Sequence, residues 1–182
     1  MSDMKQGNPN HESRITNHGK IRVAILTVSD GVSTGKREDG SGKVIREIIE
    51  KESWEVVKYQ VIPDEREEIT KVLKDFSDNG KIDLVLTTGG TGLSTRDWTP
   101  EATREVIERE VPGLAEAMRV KTSDKTPMAI LSRGIAGVRN KTLIINLPGS
   151  PKGVKECLDA VLEVISHGIE ILKCEECGKH PV

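Results

Sequence analysis

An α/β fold carried on a mostly parallel sheet is predicted by three features of this 182-residue sequence. Short, nearly continuous apolar runs alternate with stretches whose apolar residues recur at helical spacing, giving the order β-α-β-α-β that right-handed crossovers fold into a parallel sheet. Only four aromatic residues are present, Trp54, Trp98, Tyr59 and Phe76, so Ile, Val and Leu must build the core, and these suit strands covered on both faces. The segments that follow the apolar runs are rich in Gly, Ser, Thr and Asp, the residues of tight turns and of polar ligand contacts.

Residues 21–29, IRVAILTVS, read as the first strand, bounded by Gly19 and Asp30. A Gly-, Ser- and Asp-rich stretch to residue 40 leads into a helix over residues 41–50, whose face is Val44, Ile45, Ile48 and Ile49. Residues 54–62 form a second strand. Ile69, Val72, Leu73 and Phe76 mark a helix over 65–76, and 82–88 is a third strand. A short helix follows Thr99-Pro100, another spans 113–121, and residues 136–139 and 142–146 are a hairpin or two strands joined by a tight turn at Asn140-Lys141. Ser150 before Pro151 is an N-cap followed by Pro at the first helical position, and Val154, Leu158, Val161, Leu162, Ile165 and Ile169 continue that last helix.

The organisation expected is a flexible arm over residues 1–19, a single folded domain over 20–173 and a short tail over 174–182. Twenty-seven basic against twenty-nine acidic side chains give a formal net charge of −2, so no whole-protein field marks nucleic-acid binding, and an anion must be held locally. No apolar run approaches a membrane span and the first residues lack the pattern of a targeting signal, so a cytoplasmic protein is expected. Cys157, Cys174 and Cys177 are too few and too clustered for a disulfide framework. Cys157 falls on the apolar stripe of the last helix. Cys174 and Cys177 form one CxxC, half of a zinc site with His180 and His167 as further ligand types, although a solvated tail is the reading expected. The histidines are otherwise scattered, which disfavours chemistry run by a histidine base.

The segment richest in chemistry is residues 84–92, LVLTTGGTG, a strand that runs into a glycine turn, followed by Leu93-Ser94-Thr95-Arg96-Asp97. Glycines let a backbone aim its N–H groups at an anion, and the hydroxyls of Thr88, Thr91 and Ser94 add polar contacts. Neither the phosphate loop of P-loop enzymes nor the dinucleotide fingerprint fits this spacing. A tight turn without a ligand is the plainer alternative. In a parallel sheet the loops after the strands share one edge, so Ser29-Asp30-Gly31, Pro63-Asp64-Glu65 and residues 146–152, NLPGSPK, should meet the glycine turn at the crevice where open α/β sheets bind ligands. Asp64 and Asp97 beside an anion cradle imply a cation between them and the substrate, hence Mg²⁺-assisted transfer of a phosphoryl or nucleotidyl group. Each aspartate taken singly also fits a helix cap. Lys152 and Arg96 are the cations nearest in sequence, and a first-turn lysine, opposed by the helix dipole, invites an anion. Lys36, Arg37 and Arg133 read as surface charges, the first two in a loop able to close over a ligand.

The ordered series formed by residues 86–103, LTTGGTGLSTRDWTPEAT, with Ile62-Pro63-Asp64-Glu65 before it and residues 146–152 after it, resembles the MogA/MoaB family of molybdenum-cofactor biosynthesis. The likeness covers residues 21–173. It implies a three-layer α/β/α fold of the molybdopterin-binding type, assembled as a homotrimer, with ATP and molybdopterin as substrates, Mg²⁺ as cofactor and a molybdenum insertase as a further partner. The activity implied is adenylylation of the molybdopterin phosphate with release of pyrophosphate, or, in the MoaB branch, binding and carriage of the pterin without transfer. Carried over by motif, Asp64 and Asp97 match the two functional aspartates and are the Mg²⁺ ligands that the resemblance implies. Thr88, Gly89, Gly90, Thr91 and Gly92 match the pterin and phosphate contacts, with Ser94 and Arg96 beside them. Ser29, Asp30, Gly31, Ser33 and Gly35, with Pro148, Gly149, Ser150 and Lys152, complete the implied pocket.

Overall fold

The computed structural model describes residues 20–174, so the expected arm and all of the expected tail but Cys174 lie outside the described residues. Six strands form one sheet in the order β2-β1-β3-β6-β5-β4. In chain order they are β1 (Arg22–Val28), β2 (Glu55–Ile62), β3 (Leu84–Thr88), β4 (Arg109–Glu110), β5 (Ala136–Arg139) and β6 (Thr142–Leu147). β2, β1, β3 and β6 pair in parallel, whereas β5 runs antiparallel to both of its neighbours. The expectation of a mostly parallel sheet therefore holds, and the hairpin alternative is the one realised for β5 and β6. Asn140 turns it with φ 52, a left-handed conformation that Asn tolerates.

Alternation along the strands explains why they read as continuous apolar runs. Val23 and Ile25 of β1 face a core closed by α2 (Gly40–Lys51), α5 (Pro112–Ser123) and α6 (Pro151–Lys173), while Ala24, Leu26 and Val28 face a second core closed by α3 (Arg66–Asp78) and α4 (Thr99–Val106). Helices thus cover both faces, giving the three layers. Most of the apolar positions read from the sequence are buried, namely Ile45 and Ile49 in α2, Ile69, Val72, Leu73 and Phe76 in α3, and Val154, Leu158, Val161, Ile165 and Ile169 in α6, whereas Val44, Ile48 and Leu162 are half-buried. Cys157 joins that stripe, and burial pushes its thiol up to about 11. At the opposite edge of the sheet Asp83, 3% exposed, takes bonds from the backbone and guanidinium of Arg22 and from Lys173 Nζ at 2.8 Å, pinning the last turn of α6 to the strands. Burial raises the Asp83 carboxyl, but these donors outweigh it and hold it below its ordinary value.

Register is what positions the site. Val28 pairs with Ile62, Thr27 with Thr88, and Thr88 with Leu147, so the carboxyl ends of all four parallel strands lie level. From β1 the chain passes to β2 on one side and then crosses back to β3 on the other, which opens a crevice above the β1/β3 boundary. Two elements on the far side of the sheet from β2 escape the sequence reading. The charged pair of β4 carries no alternation to betray a strand, and the 3₁₀ turn over Pro127–Leu131 leaves Met128, Ile130 and Leu131 exposed.

Candidate active site

Four loops converge on that crevice. After β1 the chain turns through the four-residue helix α1 (Asp30–Ser33), a feature the sequence reading leaves as loop, capped by Ser29, whose Oγ accepts from Val32 N. Asp30 and Asp64 then lock two loops together: Asp30 N donates to Asp64 Oδ2 at 2.7 Å, and Asp64 N donates to Asp30 Oδ1 at 3.0 Å. Asp64 is no helix cap. The N-cap of α3 is Glu65, and its side chain accepts no capping bond.

The turn after β3 is built by two glycines. Gly89 and Gly90 hold φ 96 and φ 62, where a side chain is strained. A Cβ on Gly89 would lie 2.2 Å from the Val28 carbonyl oxygen, and one on Gly90 would lie 2.4 Å from Thr99 Oγ1 and 3.3 Å from Asp64 Oδ1. Gly90 therefore runs directly beneath the Asp64 carboxylate. Thr99 ties α4 to this turn, its Oγ1 donating to Gly89 O at 2.9 Å and its N–H to Gly90 O at 3.1 Å. Thr88 Oγ1 donates to Pro148 O at 2.7 Å and joins the ends of β3 and β6. Asp97 also escapes capping duty: Trp98 is the N-cap of α4, and Asp97 Oδ2 accepts from Ser94 N at 2.9 Å within its own loop.

The result is a cleft of about 600 Å³ whose walls include Ser29, Arg37, Ser41, Asp64, Thr88, Gly90, Asp97 and Ser150. Two helices begin at it. α2 enters at Gly40, which lies against Pro151 at the start of α6, with 3.1 Å between a Cβ built on Gly40 and Pro151 Cγ. Ser150 caps α6 as predicted, its Oγ accepting from Gly153 N at 3.1 Å. Asp39 caps α2 through Gly42 N at 2.8 Å and also receives the Tyr59 hydroxyl, which burial and this carboxylate push up to about 12. A second, more apolar cavity of about 660 Å³ adjoins the first. Gly90, Asp97, Gly149 and Ser150 line both, and Met118, Met128, Leu131 and Cys157 extend the second.

Electrostatically the cleft is acidic at its centre. Burial raises the Asp64 carboxyl above its ordinary value; the Asp30 backbone bond opposes this, and the neighbouring Asp30 and Asp97 charges reinforce it. Asp30 is held below its ordinary value, chiefly by the Asp64 backbone N–H and then by Arg96. Among the described residues no hydrogen bond reaches the second oxygen of either Asp64 or Asp97. Two partly free carboxylate oxygens on a crowded acidic wall suit a divalent cation that completes its shell with phosphate oxygens, since Mg²⁺ commonly takes only one or two carboxylates. Among the described residues no larger cluster of His, Cys, Asp and Glu forms a metal site.

The family described as "Probable molybdopterin binding domain" matches residues 24–167. The chain belongs to this family. Among curated relatives of this molybdopterin-binding domain, one from Helicobacter pylori (strain J99) named molybdopterin adenylyltransferase is 45% identical over 154 residues, covering 84% of this chain and 88% of the relative. Another of the same name from Escherichia coli (strain K12) is 39% identical, covering 82% and 80%. Among solved structures, one described as the molybdopterin biosynthesis enzyme MoaB from Thermus thermophilus superposes with a TM-score of 0.80 at 55% identity, covering 84% of this chain and 96% of that one. A MogA structure gives 0.79 at 38% identity, covering 83% and 99%.

Set against the residues marked in the sequence, this molybdopterin-binding domain brings Ser29, Asp64, Thr88, Gly89, Gly90, Asp97, Gly149 and Ser150 to one cleft, and Thr91, Gly92 and Pro148 to the adjoining cavity. Gly31, Ser33, Gly35 and Lys152 do not line either, and Lys152 is exposed. Arg96 is already engaged, its guanidinium bridging Asp30 at 3.0 Å and Glu65 at 2.9 Å. Of the residues read as surface charges, Arg37 is exposed as expected and, from the loop marked as able to close over a ligand, lines the cleft and donates to Ser29 Oγ at 3.1 Å, whereas the reading of Arg133 is corrected. Arg133 is part-buried and bonded to the glycine loop. Thr27, Glu38 and Ser41 also line the cleft without having been marked, since nothing in their local sequence separates them from ordinary strand and helix-start residues.

Proposed function

We propose that this chain transfers an adenylyl group from ATP to the terminal phosphate of molybdopterin, releasing pyrophosphate. The observation that carries the reading is that Asp64, beside Gly90, and Asp97, beside Gly92, line one cleft onto which α2 and α6 both open. The names of the relatives support it, because residues matching a molybdopterin adenylyltransferase run through the whole described domain. Asp64 and Asp97 would hold Mg²⁺, which supplies positive charge to the phosphate oxygens of ATP. The protein's own part is alignment. A phosphate monoester is an anionic nucleophile and needs no general base, so the chain has only to hold it in line with the α-phosphorus and to stabilise the charge that develops. The helix starts at Gly40 and Ser150 aim N–H groups and positive dipole ends at the cleft. Arg37 adds a cation on the same wall. The apolar cavity beside it offers a place for a heteroaromatic ring.

A trimer accompanies this reading, with an insertase receiving the product. Leu93, Met128 and Leu131 border the apolar cavity and are 68%, 65% and 47% exposed, and Ile130 in the same 3₁₀ turn is 66% exposed. Contiguous apolar side chains of this kind mark contact surfaces. Sedimentation should give three copies for the wild type and a smaller species for the double variant Met128→Lys, Ile130→Lys; an unchanged mass in the variant removes this surface from the assembly.

The deciding experiment for the activity is pyrophosphate release from Mg-ATP with and without molybdopterin, with the adenylylated pterin followed directly. Pterin-dependent product is expected. The second reading, a molybdopterin carrier as the resemblance to the MoaB branch implies, predicts tight pterin binding with no product, and a solved structure bearing the MoaB name is 55% identical to this chain.

A further inference from the structure

Arg133 lines neither cavity, yet it is bonded to the glycine loop through both its backbone and its guanidinium. It sits between the 3₁₀ turn and β5. Its backbone N–H donates to Thr91 O at 2.9 Å, its Nε to Gly92 O at 2.6 Å and one terminal nitrogen to Asp97 O at 2.7 Å. The other terminal nitrogen meets the Glu101 carboxylate on α4. One guanidinium thus spans both ends of the six-residue loop 92–97 and the helix that follows it. Arg119 of α5 donates to Gly134 O at 3.0 Å and fixes the segment from which Arg133 projects.

We propose that Arg133 is a positioning residue for Asp97: by holding the Gly92 and Asp97 carbonyls at a set separation, it fixes the Asp97 carboxylate opposite Asp64 and thereby sets the affinity of the pair for a divalent cation. The loop alone does not do this. Its internal bonds, Ser94 N to Asp97 Oδ2 at 2.9 Å and Asp97 N to Ser94 O at 3.0 Å, close a small turn that includes the carboxylate, and Arg96 ties the exposed side of that body to Asp30 and Glu65, but none of these contacts holds the Gly92 and Asp97 carbonyls. Arg133 fixes the body to the rest of the domain. A planar fork suits two carbonyls at once, whereas a lysine ammonium is a point donor on a flexible stem and carries no such geometry. A merely electrostatic role, in contrast, would be met equally by lysine.

The inference rests on the assignment of Asp97 to the cation site, so its test needs a reading that does not pass through turnover. Mn²⁺ binding, followed by electron paramagnetic resonance in the presence of a non-hydrolysable ATP analogue, is compared for wild type, Arg133→Lys, Arg133→Gln and Asp97→Asn. Arg133→Gln is expected to weaken Mn²⁺ binding by about tenfold, in the range usual for residues that orient a metal ligand. Arg133→Lys should fall short of wild type, and Asp97→Asn should weaken binding at least as much as Arg133→Gln. In turnover, kcat for Arg133→Gln should fall and recover partly at high Mg²⁺, with the KM for the pterin unchanged. Equal Mn²⁺ affinity in wild type and Arg133→Gln, or full retention in Arg133→Lys, overturns the proposal even if the variants melt earlier. Unaltered Mn²⁺ affinity in Asp97→Asn instead overturns the assignment on which it rests, and lack of pterin-dependent product with the Mn²⁺ differences intact overturns the adenylyl-transfer reading alone.

Discussion

Asp64→Asn is expected to lower pterin-dependent pyrophosphate release by on the order of a hundredfold or more, while the protein melts at the same temperature as wild type or higher in Mg²⁺-free buffer at pH 7. The activity half follows from removing one of the two aspartates that line the cleft along the glycine turn. The stability half follows from sign. Burial first, then the Asp30 and Asp97 charges, raise the Asp64 carboxyl in the folded state. A raised carboxyl means that the fold favours the protonated form, so its contribution is fully present below the ordinary carboxylate range and is lost as pH rises through the folded value. At neutral pH the ionised group is therefore a burden on the fold. Asparagine removes that burden and still offers an oxygen to the Asp30 N–H. The Asp30 backbone bond is the larger of the two interactions that favour the ionised group, the weaker being the Arg96 charge, and it survives the change. Mg²⁺ with an ATP analogue should raise the melting temperature of wild type and leave that of Asp64→Asn nearly unmoved, because a ligand stabilises only the state that binds it. A variant with wild-type turnover, or one that melts well below wild type, contradicts this account of Asp64.

Most of the fold could be read locally because burial of a strand on both faces leaves its mark in the strand itself. Residues 22–28, 84–88 and 142–147 are apolar almost throughout, and each lies between two helical layers. The start of α6 was legible for a similar reason: Ser150 and Pro151 act within a single turn. The loops' shared edge could also be inferred, since parallel pairing alone levels the strand ends. What stayed hidden depends on partners distant in the chain. Arg133 reads as an exposed charge until β5 and the glycine loop are brought together, 41 residues apart in sequence. Arg96 reads as a cation for substrate until α1 and the start of α3 bring Asp30 and Glu65 against it. The helix-cap alternatives for Asp64 and Asp97 could not be removed from spacing alone either, because both aspartates stand where caps stand, and only their actual donors, Asp30 N and Ser94 N, separate the two roles. Thr88 shows the same limit: its place in the glycine-rich motif suggests a ligand contact, whereas its hydroxyl proton is committed to Pro148.

Gly89→Ala should produce the largest loss of stability among single-methyl changes at the turns, roughly 4 kcal/mol, or a fall of about 10 °C in melting temperature for a domain of this size. Two costs combine. Gly89 has φ 96, which an L side chain rarely adopts, and its Cβ would stand 2.2 Å from the backbone oxygen of Val28. Relief requires β1 and the turn to separate, yet both are held. Gly89 N donates to Leu147 O at 3.3 Å and Gly89 O accepts from Thr99 Oγ1 at 2.9 Å, while Val28 lies paired with Ile62 in the interior of the sheet. Gly80 supplies the control: it holds φ 67 with open space where a Cβ would go. Gly80→Ala therefore carries only the backbone penalty of about 1–2 kcal/mol. Comparing the two by denaturant unfolding separates conformational strain from close approach. The close approach predicts a much larger loss at Gly89, together with loss of turnover, because any shift of this turn moves Gly90 away from Asp64. Equal losses at the two glycines would mean that β1 and the glycine turn can part without cost, and that the spacing between Asp64 and Asp97 is not set by the backbone beneath them.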